Sequence, residues 1–280
     1  MVTSVSGAPV PIGEARSEGA SVLWTALVPF FNEYALLPHT IASLAAQTVP
    51  LEIILVDNGS TDGSAEVARN ACETLNLSYT LIVEPRSGKV SALAAGVAAV
   101  TTPFVAICDA DTWYPRSYLA HATGLLAQPG CVAAGAFFVS RSASPARRLL
   151  EGLHVLAAGA LLPGQCHAGG AGQAFETAAL RRAGSFDPAR WDWVLEDHEI
   201  IHRVLKHGRM AYGLNFWSAP STRKRDRASV VWTVFERAVY HALGGLFGEW
   251  FFHDFLAPRL SRRSLSSARL RERAHIAGIG

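Results

Sequence analysis

Cysteine is scarce: only Cys72, Cys108, Cys131 and Cys166 occur, none at a paired spacing. That rules against a disulfide framework or a Cys-x-x-Cys metal or redox element and predicts a reducing compartment. A dominant charge sign is missing too, with 25 Lys and Arg against 23 Asp and Glu. Without basic residues interleaved with aromatics along one stripe, nucleic acid is not an expected partner. No apolar run reaches the ~18 residues of a membrane span; the nearest, from Ala92 to Cys108, is broken by Thr101-Thr102-Pro103. The amino terminus carries no charged leader with an apolar core and cleavage site, so a cytoplasmic protein is expected. Residues 1–20, rich in Ser, Gly, Ala and Pro without a hydrophobic period, are expected to form a flexible leader. There is no internal repeat.

What is present suits one large core with a small appended region, since half of the 280 residues are hydrophobic. Apolar stretches of strand length, Val22 to Val28, Leu51 to Val56, Tyr79 to Val83 and Phe104 to Cys108, alternate with helical periods near 35–46, 64–75 and 90–100. Such alternation predicts an α/β fold with an open, mostly parallel sheet flanked by helices, binding ligands beyond the carboxyl ends of its strands. Further on, a helix is expected from Pro115 to Ala127, a strand from Cys131 to Val139, and helices over Glu176–Ala183 and Glu196–His207, the last two ending at Gly184 and Gly208. The glycine-rich stretch 163–173 reads as a loop where backbone approaches ligand closely.

Four strand-end clusters carry the chemistry. Asp109-Ala110-Asp111 follows an apolar strand; residues two apart on an extended chain share a face, so both carboxylates are expected to address one metal-phosphate unit. Val28-Pro29-Phe30-Phe31-Asn32-Glu33 and Val56-Asp57-Asn58-Gly59-Ser60-Thr61-Asp62-Gly63-Ser64 close two earlier strands. Arg86-Ser87-Gly88-Lys89 opens a helix, where exposed amides, the dipole and a cation favour an anionic phosphate. Together they outline a nucleotide pocket.

These segments, with Glu196-Asp197 opening a later helix that runs into Arg203 and Gly208, resemble family 2 glycosyltransferases of the GT-A fold over about residues 22–217. The resemblance implies a Rossmann-like catalytic domain at 21–220, with a nucleotide-sugar half (21–112) and an acceptor half (113–220), and a helical, basic extension at 221–280. It also implies roles. Pro29, Phe31 and Glu33 would line the nucleoside, Asp57 would accept a hydrogen bond from the base, and Lys89, Asp109 and Ala110 would approach the nucleotide sugar. Asp109 would meet the ribose or metal, Asp111 would hold Mg²⁺ or Mn²⁺ on the diphosphate, and Asp197 would be the general base. Glu196, Trp191, Arg223 and Arg225 would contact acceptor or diphosphate. An oxygen-ligated cation offsets the charge of a departing nucleoside diphosphate, while a carboxylate takes the acceptor hydroxyl's proton. Attack from the opposite face inverts the anomeric centre. A nucleotide-diphospho-sugar donor, with uridine typical of the family, and a glycan or lipid-linked acceptor are the implied partners.

The chain departs from the family pattern in three places. Ala92-Leu93-Ala94-Ala95-Gly96 replaces the polar position after Gly-Lys; Phe216-Trp217-Ser218-Ala219-Pro220-Ser221 lacks the His that often completes the metal site; and Gln-x-x-Arg-Trp is absent. The third metal ligand is thus unassigned, and a single transfer rather than polymerisation is expected. Two other functions compete. His198-Glu199-Ile200-Ile201-His202 spells the zinc-peptidase pattern His-Glu-x-x-His, and a non-catalytic nucleotide-sugar-binding domain would keep the pocket without the base. The 230–260 stretch is aromatic with helical period and is followed by Arg259, Arg262, Arg263, Arg269, Arg271 and Arg273. It suits either a peripheral contact with the anionic inner face of a membrane or packing against core or subunit.

Overall fold

The computed structural model describes residues 22–222 and 232–276. The expected leader and the cations Arg223, Lys224, Arg225 and Arg227 lie outside the described residues.

Strands β1 (Trp24–Phe30), β2 (Leu51–Asp57), β3 (Tyr79–Val83) and β4 (Phe104–Ile107) are parallel in the order β3-β2-β1-β4. They alternate with α1 (Leu37–Ala45), α2 (Ser64–Thr74) and α3 (Lys89–Ala99). Then follow β5 (Thr112–Trp113), α4 (Tyr118–Leu126), β6 (Cys131–Phe138), α5 (Pro145–Leu161), β7 (Gln173–Glu176), α6 (Thr177–Arg182), α7 (Glu196–Val204) and β8 (Arg209–Pro220). Beyond β4 the sheet continues β7-β6-β8-β5, with β7 antiparallel to both neighbours, β8 parallel to β6 and β5 antiparallel to β8.

The near-continuous apolar runs of β1, β2 and β4 are explained by burial on both faces. Trp24, Ala26, Val28 and Phe30 of β1 enter the core beneath α1, α2 and α4, while Leu27 enters the core beneath α3, α6 and α7. Ile53 and Leu55 likewise point one way and Ile54 and Val56 the other. Each fully buried side chain of this size contributes about 1.5–3 kcal/mol. Gly96 sits where α3 crosses β1, and a Cβ there would run into Leu27 Cδ1.

Residues 232–276 form a third layer: α8 (Val234–Val239), π-helical turns at Tyr240–Gly244 and Trp250–Leu256, α9 (Ala257–Arg262) and α10 (Ser267–Ile276). Their own core joins Tyr240, Phe251, Phe252, Phe255, Leu256, Leu260 and Leu265 to Trp191 and Val194, which precede α7. Much of the aromatic stripe is therefore internal packing. Among the described residues no helix is long and apolar enough to cross a membrane.

Candidate functional site

The carboxyl ends of β1, β2 and β4 open on one cavity of about 350 Å³, lined by Pro29, Phe31, Glu33, Lys89, Asp109, Ala110 and Glu196 among others. Side-chain to backbone bonds hold the rim loops together. Asn58 Nδ2 donates to the carbonyls of Glu84 (3.0 Å) and Arg86 (2.7 Å), and its Oδ1 accepts from Gly88 N at 2.8 Å. Asn32 Oδ1 accepts from Thr61 N (2.9 Å), and Ser64 Oγ from Glu33 N (2.8 Å). Asp57 is buried at the end of β2, its Oδ1 accepting from Ser60 N at 2.8 Å. These contacts pay no distant closure cost, because each spans adjacent loops of the same sheet edge.

Lys89 lies at the cavity's centre of charge. Its Nζ donates to Asp109 Oδ1 at 2.9 Å and stands 3.3 Å from Glu196 Oε1. Burial opposes its charge, but Asp109, Glu196 and Asp197 together hold the ammonium well above a lysine's ordinary pKa. Glu196 and Asp197 open α7, behind Leu195 in the left-handed region (φ 67°). For a branched side chain that conformation costs roughly 1–2 kcal/mol, and it turns both carboxylates toward Lys89. The two carboxyls diverge. Burial raises that of Glu196, with Asp197's charge adding to the effect, whereas that of Asp197 lies below 3.8 because His198 and Lys89 outweigh its burial. His198 donates twice to Asp197 Oδ1, from its backbone N (2.9 Å) and from Nδ1 (2.8 Å). A Cβ built on Gly170 of the glycine-rich loop would stand 3.3 Å from Lys89 Nζ and 3.8 Å from Asp197 Oδ2, so this loop packs close against both side chains.

Asp109 and Asp111 do not share a face. The chain turns after β4, with Thr112 N donating to Asp109 O at 3.3 Å, which breaks the extended geometry on which the two-residue spacing depends. Asp109 faces Lys89, while Asp111, 8% exposed, accepts from Ser221 Oγ at 2.7 Å and lines the adjoining cavity. Trp191 is not an open acceptor contact either: it is 2% exposed, crosses Phe252 edge to face at 5.5 Å, and donates from Nε1 to Val194 O. The zinc reading fails on geometry. Glu199, 1% exposed, is held by Arg203 at 2.7 and 2.8 Å, and His198 and His202 face different aromatic neighbours. Among the described residues no three His, Cys, Asp or Glu side chains are disposed around a metal.

Sequence reasoning missed the cavity's roof, formed by Ser267, Leu270 and Arg271 of α10. Val90 N at the start of α3 donates to Ser267 Oγ at 3.2 Å. Gly88 permits this approach: its φ is +116°, and a Cβ would fall 2.8 Å from that hydroxyl. Arg271 lies over the Phe31 ring at 4.4 Å and donates to Asn58 O, Gly59 O and Ser87 Oγ. The arginine run was a visible signal, but nothing in it pointed inward.

The fold is that of known glycosyltransferases. A mannosyltransferase of Pyrobaculum calidifontis, solved with GDP-Man and Mn²⁺, superposes with a TM-score of 0.66 at 24% identity, over 92% of this chain and 76% of that one. S. aureus TarS with UDP-GlcNAc gives 0.55 at 17% identity, over 85% and 72%. In sequence, an uncharacterized glycosyltransferase of Mycobacterium tuberculosis is 42% identical over 88 residues, 31% of this chain and 36% of the relative. The undecaprenyl-phosphate 4-deoxy-4-formamido-L-arabinose transferase of Serratia proteamaculans is 37% identical over 94 residues, 32% and 29%. The matched region thus spans about a third of these relatives' length. Residues 25–182, more than half of the chain, match the family model of Glycosyl transferase family 2, and the chain belongs to that family.

Proposed function

We propose that this glycosyltransferase moves one sugar per encounter from a nucleotide-diphospho-sugar, of the UDP type, to an acceptor hydroxyl with inversion. The observation that carries the reading is the meeting of Lys89, Asp109, Glu196 and Asp197 around the end of the sheet. Asp197 is the base. Its depressed pKa keeps it ionised at neutral pH, His198 fixes one oxygen, and Oδ2 faces the glycine-rich loop. The Lys89 ammonium attracts the donor's diphosphate, and Phe31 offers a ring to the nucleoside. Glu196, whose pKa is raised, accompanies the transfer as Lys89's second partner.

The donor set suits a divalent cation. Magnesium usually takes one or two carboxylates plus substrate phosphates and water rather than a full protein cage, and Asp109, which lines the donor cavity, would offer Mg²⁺ or Mn²⁺ such a carboxylate, whereas Asp111 lies with Ser221 on a separate cavity. When bound, the ion would offset charge on the leaving diphosphate. A lipid-linked acceptor is favoured by the similarity to the Serratia relative, an undecaprenyl-phosphate sugar transferase, and a peripheral position on the inner membrane face would follow from such an acceptor.

Purified protein is to be incubated with a panel of nucleotide sugars, with Mg²⁺ or Mn²⁺ and with chelator, while release of nucleoside diphosphate is followed. Release from one donor that stops with chelator supports the reading. No release from any donor, with none bound, would sink it. Binding without turnover by both wild type and Asp197→Asn would favour a binding domain instead.

A further inference from the structure

Two places in the donor cavity that suit a nucleotide are already taken, and by the same helix. The start of α3 is one: amides at a helix N-terminus suit a phosphate oxygen, yet Val90 N donates to Ser267 Oγ of α10 at 3.2 Å. The ring of Phe31 is the other, and the Arg271 guanidinium lies over it at 4.4 Å. Ser267, Leu270 and Arg271 follow the spacing i, i+3, i+4, so one face of α10 presents all three to the cavity. A hydroxyl thus stands where a phosphate oxygen would, and a flat cation where a base would.

These groups fill the seat rather than furnish it. Arg271 engages its terminal nitrogens on the rim itself, one donating to Asn58 O and Gly59 O and the other to Ser87 Oγ at 2.9 Å. Those donors are satisfied by protein and not offered to a ligand. The rim is shaped to the helix at two glycines: a Cβ on Gly59 would strike the guanidinium, and one on Gly88 would fall 2.9 Å from Ala268 N. The space left open is about 350 Å³. That is near the lower end of the roughly 300–1,000 Å³ of ligand pockets, although a base, a ribose, two phosphates and a sugar would have to share it.

α10 can leave this position without disturbing the sheet. It follows directly on Leu265, a member of the aromatic core of the 232–276 layer, and Leu270 packs against the same core. Its start is tied to the segment before α7, with Ser267 N donating to Asp192 O at 2.7 Å and Val194 N to Leu265 O at 3.1 Å. The helix also lies outside residues 25–182, the segment matched by the family. Elements of this kind open locally at less than the cost of global unfolding.

We infer that α10 is an autoinhibitory plug: Ser267 and Arg271 occupy the phosphate and base seats of the donor cavity, and a nucleoside diphosphate binds by displacing them. Such regulation rests on the donor reading of the cavity. Apparent affinity falls in proportion to the open fraction, so whatever loosens α10 strengthens binding without altering any contact to the donor.

Hydrogen exchange of the full chain is to be followed without ligand and with saturating UDP or GDP, beside calorimetric titration of the same nucleotides. In the wild type, nucleotide is expected to raise protection at 58–61 and 87–90 and to lower it at least fivefold at 268–276. Arg271→Ala should tighten binding at least twofold, and the doubly substituted Ser267→Ala, Arg271→Ala chain at least fivefold. Arg269→Ala, exposed on the same helix and bonded to Ser264 Oγ, should leave affinity unchanged. Protection unchanged or gained at 268–276, or affinity unchanged or weakened in both plug variants, would overturn the inference and leave the donor reading standing. A nucleotide that binds the double variant but not the wild type would support it most directly. If neither nucleotide binds any of these chains, the donor reading fails and the plug with it.

Discussion

Residues 22–113 reach the donor cavity through short loops between neighbouring strands and helices, whereas α10 reaches it across 177 to 213 positions of chain. The first region draws its geometry from sheet register, so a single core decides it. The second depends on a separate aromatic core, built on Trp191, that has to be in place before Arg271 can lie on Phe31. Closing a long loop costs little more than closing a shorter one, but elements resting on their own core can open by themselves. The floor of the cavity is thus set by the sheet's own cores, and its roof by a core of its own.

Four measurements sharpen or break that contrast. The largest effect is expected where the two regions meet at α7: Asp197→Asn should lower turnover by about 10²–10⁴-fold, or roughly 3–5.5 kcal/mol. Nucleotide affinity, followed by titration, should be unchanged. Next, Phe252→Ala should cost about 3–5 kcal/mol and Ile54→Ala about 2–5 kcal/mol, but in different places. Hydrogen exchange should show loss of protection confined to 232–276 for Phe252→Ala, and throughout β1–β4 for Ile54→Ala. Uniform loss in both would mean one cooperative unit and would end the comparison.

A smaller effect is expected from Arg271→Ala. The guanidinium covers the ring face that a nucleobase would stack on, and such a contact is worth about 0.5–2 kcal/mol. Its removal should tighten nucleoside diphosphate binding by about two- to thirtyfold, the same energy converted at 1.4 kcal/mol per decade; weaker binding would make Arg271 part of the donor's own site. The smallest effect concerns pH. Asp197 titrates below its ordinary 3.8, so the acid limb of kcat/KM should fall below that value, and His198→Gln should move it upward. The stability signs follow. Asp197's depressed pKa stabilises the fold above its unfolded value, an advantage lost as pH falls through the native one. Glu196, raised by burial, contributes oppositely and favours the fold more as pH falls.

The strands and helices of the first region were legible because their apolar residues follow one period and their loops are short. Tyr79–Val83 agrees to the residue, and β1, β2, α2 and α3 agree to within one or two. The helix Pro145–Leu161 went unread although Ser144 and Pro145 signal its start; Ser144 Oγ accepts from Arg147 N at 3.2 Å. Its apolar face is exposed, so its period carried no message about a core. β8 went unread as a strand, since its burial is mixed along its length and its pairing with β6 is interrupted by bulges. Residues at the ends of neighbouring elements of the first region, such as Lys89 opening α3 and Asp109 following β4, could be grouped from their order along the chain. Trp191 and Arg271 could not, because tertiary packing decides which way an aromatic or a cation points.

One phenol deserves a mechanical reading. Tyr114 accepts from Asp109 N at 2.9 Å and donates to Ala171 O at 3.1 Å, and it is almost fully enclosed. It acts as a rigid pin between the aspartate turn and the 163–173 loop beside Asp197, so displacement at either end is transmitted to the other. Arrival of a substrate at one end would thereby adjust the seat at the other, and the coupling is reciprocal.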